Sequence, residues 1–129
     1  GVTTFLTGMA MGTDMIAAEM VLDLKSAYPK EEIRLVAAIP YSGQSERWSK
    51  NYQIRYETIL EQADEQIVLN PSYTKSCMHQ RNRYMVDHSA HLIAVYGGEN
   101  GGTKNTVEYA KRKGLDIVII DPNHLRTKV

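Results

Sequence analysis

The sequence predicts an α/β chain with a mostly parallel sheet of about five strands and helices on both faces. Two observations carry this. Short apolar runs alternate with longer helical patterns along the whole chain, less one final helix, an order that gives a parallel sheet joined by right-handed crossovers. The breaks at Gly8, Pro40, Asn70 and Gly97 each follow an apolar run, and strand ends of this kind are where open α/β sheets bind ligands.

Residues 3–6 read as a short buried strand ending at Gly8. Thr13 or Asp14 caps a helix to about Tyr28, with Glu19, Asp23 and Ser26 as its polar stripe and Ile16, Met20, Leu24 and Ala27 opposite. Pro29 closes it. Residues 33–39 form a near-continuous apolar run, the mark of a strand covered on both faces. After the break at Pro40-Tyr41-Ser42-Gly43, a helix runs from about Glu46 to Gln62, with Trp48, Tyr52, Tyr56 (or Arg55) and Ile59 along one side. Residues 66–69 make the next strand, stopped by Asn70-Pro71-Ser72, and a helix covers about 77–88. A strand at 91–96, a glycine-rich loop, a helix at 104–113 and an apolar strand at 117–120 follow. The polar tail to Val129 is expected to fray.

At 129 residues the chain is read as one domain, long enough to bury a core. Apolar residues make up 43% and charged residues 23%, as in a soluble globular protein. Basic and acidic residues balance at 15 each, which argues against a broadly basic surface for nucleic acid or membrane. The single cysteine, Cys77, rules out an intrachain disulfide and fits a reducing, cytoplasmic compartment. No apolar run approaches the length of a membrane span.

The richest motif is Tyr96-Gly97-Gly98-Glu99-Asn100-Gly101-Gly102-Thr103. Its glycines allow positive φ and close approach of a ligand to the backbone. A strand entering such a turn and a helix leaving it aim N–H groups at a phosphate or carboxylate. Leu6-Thr7-Gly8-Met9-Ala10-Met11-Gly12-Thr13-Asp14 repeats the logic, and the two turns are expected to serve one anion. Thr103 can donate its hydroxyl to phosphate or cap its helix. Asp14 is read first as a helix cap and second as a group that orients the loop or meets a ribose hydroxyl. Arg81 can grip phosphate through its fork, with Asn82 beside it, or both can line a solvated helix face.

His79, His88, His91 and His124 have no zinc spacing with Cys77, so no metal is expected. Trp48 is read as core packing rather than a stacking platform. No nucleophile elbow or His-Glu-x-x-His is present, and Glu99 and Glu108 are the carboxylates nearest the glycine loop. No catalytic residue is assigned.

Several stretches together resemble the YpsA-like (DUF1273) family of the SLOG superfamily, relatives of DprA and the LOG phosphoribohydrolases. They are Phe5-Leu6-Thr7-Gly8-Met9-Ala10-Met11-Gly12-Thr13-Asp14, Ala38-Ile39-Pro40, Gln80-Arg81-Asn82-Arg83-Tyr84-Met85-Val86-Asp87-His88, Val95-Tyr96-Gly97-Gly98, Gly101-Gly102-Thr103 and Val107-Glu108-Tyr109-Ala110. The resemblance covers nearly the whole chain in order and implies a Rossmann-like three-layer sandwich that binds a nucleotide or nucleotide-derived ligand, such as an ADP-ribose-like molecule, with no other cofactor. It places the ligand on Gly8, Met9, Gly12, Thr13 and Asp14, on Pro40 and Tyr41, on Arg81 and Asn82, and on Gly97, Gly98, Glu99, Gly101, Gly102 and Thr103.

LOG enzymes carry Gly-Gly-x-Gly-Thr-x-x-Glu. Here Glu108 follows Thr103 by five residues rather than three, so the catalytic glutamate does not transfer. Family members also have an N-terminal strand and helix ahead of the point where this sequence starts at Gly1; if those are absent, one wall of the pocket is missing and a protein partner or second copy is expected to cover the exposed surface. The resulting expectation is a binding or sensing module. LOG-like cleavage of a nucleoside monophosphate and DprA-like single-stranded DNA binding are the alternatives.

Overall fold

The structure is a computed structural model, and it describes residues 1–123. The expectation for the tail, and His124 with it, falls outside the described residues. The fold is α/β with parallel strands and flanking helices, consistent with a Rossmann-like fold. Two compact units divide it, one of residues 1–81 and one from 82 onward.

The first unit contains β1 (Thr4–Thr7), α1 (Thr13–Ala27), a 3-10 turn (Pro29–Glu31), β2 (Arg34–Ile39), α2 (Lys50–Gln62) and β3 (Glu65–Val68). Helix α3 (Cys77–Asp87) starts in it and ends in the second unit, which holds β4 (His91–Val95), α4 (Gly102–Lys113) and β5 (Asp116–Ile120). Within each unit the strands pair in parallel, and among the described residues their ladders form one sheet of β1-β2-β3 and another of β4-β5. The apolar pattern identifies strands and their direction, and it carries no signal for which edges share hydrogen bonds.

Strand β2 is central to the first sheet, and Leu35 through Ile39 are all buried, as a run covered on both faces requires. Leu35, Ala37 and Ile39 join Met9, Met15, Ala18, Val21, Tyr56 and Ile59 in the core. At the far end of β2, Asp64 accepts the Leu35 N–H at 2.8 Å and the Lys25 ammonium at 2.6 Å. The Lys25 bond first, and the Leu35 bond after it, hold the Asp64 carboxyl below its ordinary range.

Helix α1 presents a different face from the expected one. Met15, Ala18 and Val21 are buried, while Ile16, Met20 and Leu24 are exposed. Met15, Ala18 and Val21 pack into the core with β2 and α2 residues, and Glu19, rather than standing on a free polar stripe, receives two bonds from the Arg55 guanidinium of α2, at 2.8 and 2.6 Å. That fork lies on the side facing α2, and the Ile16–Met20–Leu24 row faces outward. It also resolves α2: Tyr56 and Ile59 point in, and Arg55 points out. Helix α2 begins at Lys50 rather than near Glu46, because bonds of the i→i+3 kind (Glu46 N–H to Gly43, Trp48 N–H to Ser45) hold the preceding segment in turns.

In the second unit α4 packs against β4 and β5 through Val107 and Ala110, and Gly114 ends it in the left-handed conformation. Strand β5 is less covered than its apolar run at 117–120 implies: Val118 and its register partner Ile93 are both exposed. Among the described residues no helix is long and apolar enough to cross a membrane.

Candidate functional site

In the first unit, β1, β2 and β3 run parallel side by side, so the Gly8, Pro40 and Asn70 turns all leave the same edge of that sheet. The Gly8 turn is fixed by three groups. The Thr7 hydroxyl accepts the Met9 N–H at 3.3 Å and donates to the Asp14 carbonyl at 3.1 Å. The Asp14 carboxylate accepts the Ala10 N–H at 3.2 Å. Arg81 donates from Nη1 to the Gly8 carbonyl at 2.5 Å. Met9 sits at φ 58° with its side chain fully buried, a conformation that costs a non-glycine residue about 1–3 kcal/mol and persists where surroundings enforce it.

These contacts revise individual roles. The cap of α1 is Gly12, at φ 88°, with no side-chain cap bond, so neither Thr13 nor Asp14 caps the helix. Asp14 orients the loop instead, by holding Ala10. Gly8 is glycine because of Arg81: a Cβ there would stand 2.8 Å from Nη1 and 2.9 Å from Cδ and Cζ. Arg81 is itself buried. Burial lowers its pKa, and the neighbouring Asp14 charge opposes that shift. Gly12 has open space around it, and Thr13 is exposed beside it.

At the β2 end Pro40 is buried and Tyr41 half-buried. Asn70 ties this turn together, donating to the Pro40 carbonyl at 2.9 Å and to Gln80 Oε1 at 2.8 Å, while its own carbonyl accepts the Ser42 N–H at 2.9 Å. Between the two loops lies a cleft of about 640 Å³. Arg47, Trp48 and Tyr73 line it with Tyr41, and sequence reasoning did not assign the first three to a site. Trp48 packs against the core and lines this cleft at once. A tryptophan just after a proline–glycine break at a strand end was the one available signal.

In the second unit, Gly98 at φ 96° and Gly101 at φ 140° shape the other turn. Gly101 is the cap of α4, again with no side-chain cap bond, so Thr103 is not a cap and lies exposed in the first helical turn. The Asn82 amide nitrogen lies 4.0 Å from where a Cβ on Gly102 would stand. Lys104 donates to Asn100 Oδ1 at 3.1 Å. Glu99 and Asn123 fold against Gly97, each with an atom 2.8 Å from a Cβ placed there. Glu108 is exposed on α4. Among the described residues no group of His, Cys, Asp or Glu could hold a metal ion.

Parallel strands running into glycine turns, each followed by a helix that opens on a glycine, define a Rossmann-like α/β protein. The chain belongs to the YpsA family, described as the YspA SLOG family, which it matches over residues 1–125. It is 35% identical over 123 residues to the SPbeta prophage-derived protein YoqJ of Bacillus subtilis (strain 168), covering 86% of this chain and 71% of that protein. It is 29% identical to a UPF0398 protein of Bacillus velezensis, covering 100% of this chain and 74% of the relative. A UPF0398 protein of Bacillus pumilus is 30% identical, with 100% and 70% covered.

Proposed function

We propose that this YpsA-family chain is a binding or sensing module for a nucleotide or nucleotide-derived ligand. One observation carries the reading. Both helices that follow the glycine turns, α1 and α4, open on a positive-φ glycine, Gly12 and Gly101, with no side-chain cap bond. The first-turn N–H groups of such a helix favour an anion through both hydrogen bonding and the helix dipole. In the first unit the backbone N–H groups at 12–14, with the Thr13 hydroxyl, would hold phosphate; in the second, those at 101–104 with the Thr103 hydroxyl offer the same chemistry.

Arg81 acts in this reading by holding the Gly8 turn in shape and by placing a buried positive charge behind it. Ligand binding at Gly97 requires Glu99 to swing away from that turn.

Hydrolysis and DNA binding have less support. Glu108 is exposed on its helix and out of step with the LOG pattern. The formal net charge is zero, whereas single-strand grooves are basic. The free, buried Cys77 supports a reducing, cytoplasmic setting, and the exposed Ile16, Met20 and Leu24 row supports a partner or second copy.

Thermal unfolding with AMP, ADP-ribose and NAD tests the proposal. A ligand at 100 times its Kd stabilises by about 2.7 kcal/mol, so at least one of the three should raise Tm by several degrees. No shift with any of them at millimolar concentration, in folded protein, would refute it.

A further inference from the structure

We propose that the cleft between the Pro40 and Asn70 turns is a ring subsite that takes the planar base of the bound nucleotide. This rests on the nucleotide-binding reading above and specifies where the base goes. The cleft, about 640 Å³, lies within the size range of small-molecule sites, roughly 300–1,000 Å³. Its walls are tied together in advance, since Asn70 bonds both Pro40 and Gln80 and its carbonyl holds the Ser42 N–H.

The lining chooses the class of guest. Among the described residues no Leu, Ile, Val or Met lines the cleft, so an acyl chain finds little to pack against. Rings do line it. Tyr41 and Tyr73 meet edge to face with centroids 5.5 Å apart, one from each wall, and Trp48 is supported edge to face by Tyr56 at 5.2 Å. Tyr73 is 62% exposed and takes no part in the core. Aromatic faces accept any base by stacking, because every base has a π-face. Gln44 and Arg47 add an amide and a guanidinium for the edge of a heterocycle.

The cleft's position agrees with its role. It opens above the ends of β2 and β3, and the Gly12 start of α1 follows β1, the next strand over. Neighbouring strands lie about 4.8 Å apart, and the proposal lays the ribose phosphate across the step from the cleft toward that helix start.

Trp48 is the only tryptophan in the chain, so its emission reports the cleft directly. Adenosine, guanosine, cytidine, uridine, AMP and ribose 5-phosphate are each titrated into the protein, with emission and Tm followed together and free tryptophan as the optical control. At least one nucleoside, and AMP or its counterpart, should change Trp48 emission saturably, while ribose 5-phosphate raises Tm without doing so. Tyr73→Ala, at an exposed position, should weaken the nucleotide at least tenfold more than it weakens ribose 5-phosphate. If nucleotides raise Tm with emission unchanged and Tyr73→Ala has no selective effect, the ring subsite is wrong and the nucleotide reading stands. If nucleosides change emission but no phosphate compound adds stability, the subsite stands and the phosphate assignment fails. Silence from every compound overturns both.

Discussion

Arg81 and Gly8 lie 73 residues apart in sequence, and the guanidinium donates to the glycine carbonyl at 2.5 Å. A Cβ on Gly8 would come within 3 Å of three Arg81 atoms. The two residues fit only as a pair, and the pair fixes the turn from which α1 departs.

Gly8→Ala should therefore destabilise by about 1–3 kcal/mol, as overpacking of a buried site does. Arg81→Ala should also destabilise, through the lost carbonyl bond and the lost packing. The double variant should be less unstable than the sum by about 0.5–3 kcal/mol, because removing the arginine removes the clash. Urea midpoints of the four proteins measure this, and strict additivity would contradict it.

Two methionines on one helix test the corrected face of α1. Met15 is fully buried and Met20 is 61% exposed. Met15→Ala should cost about 2–5 kcal/mol, and Met20→Ala should stay within about 0.5 kcal/mol of the parent. Equal costs would mean that the Ile16–Met20–Leu24 row is covered in solution.

Asp64 gives the fold a pH dependence of predictable sign. Its folded pKa lies below the ordinary aspartate value of 3.8, so its contribution is fully present above that value and is lost as pH falls through the folded one. Asp64→Asn should cost about 1–2 kcal/mol at pH 7, the range of a charge-assisted hydrogen bond discounted for partial exposure. The difference between parent and variant should narrow in unfolding curves taken below pH 4. A gap that stays constant to pH 2 would remove Asp64 as the cause.

Glu99 places a carboxylate against the Gly97 turn, which opposes an anion there. Glu99→Gln should tighten ribose 5-phosphate binding by a few-fold, in line with about 0.2–1 kcal/mol for an exposed charge interaction. The gain should shrink as salt is raised. Weaker binding in the variant would mean that Glu99 contacts the ligand favourably.

Much of this architecture could be read from residue patterns. The β2 run announced a covered strand, and the turns after β1, β2, β3 and β4 fall where the alternation put them. The face of α1 was not readable, because apolar residues surround that helix (Met15, Ile16, Ala18, Met20, Val21, Leu24) and only distant packing against β2 and α2, together with the Glu19–Arg55 pair, distinguishes those that turn inward. The same limit applies to the candidate site. That residue 8 is a glycine is plain in the sequence, but the reason it must be one is a side chain on α3. Trp48 read as core and is core, yet its other edge lines the cleft, a placement that depends on Asn70 drawing two loops together.

The most direct test is a nitrogen–proton correlation spectrum of the labelled protein titrated with AMP, ADP-ribose and NAD. Phosphate held by a glycine-started helix should shift the backbone amides of residues 12–14 or of 101–104 in a saturable way with at least one of the three. Saturable binding that leaves those amides unmoved, or no binding at all, would contradict the account.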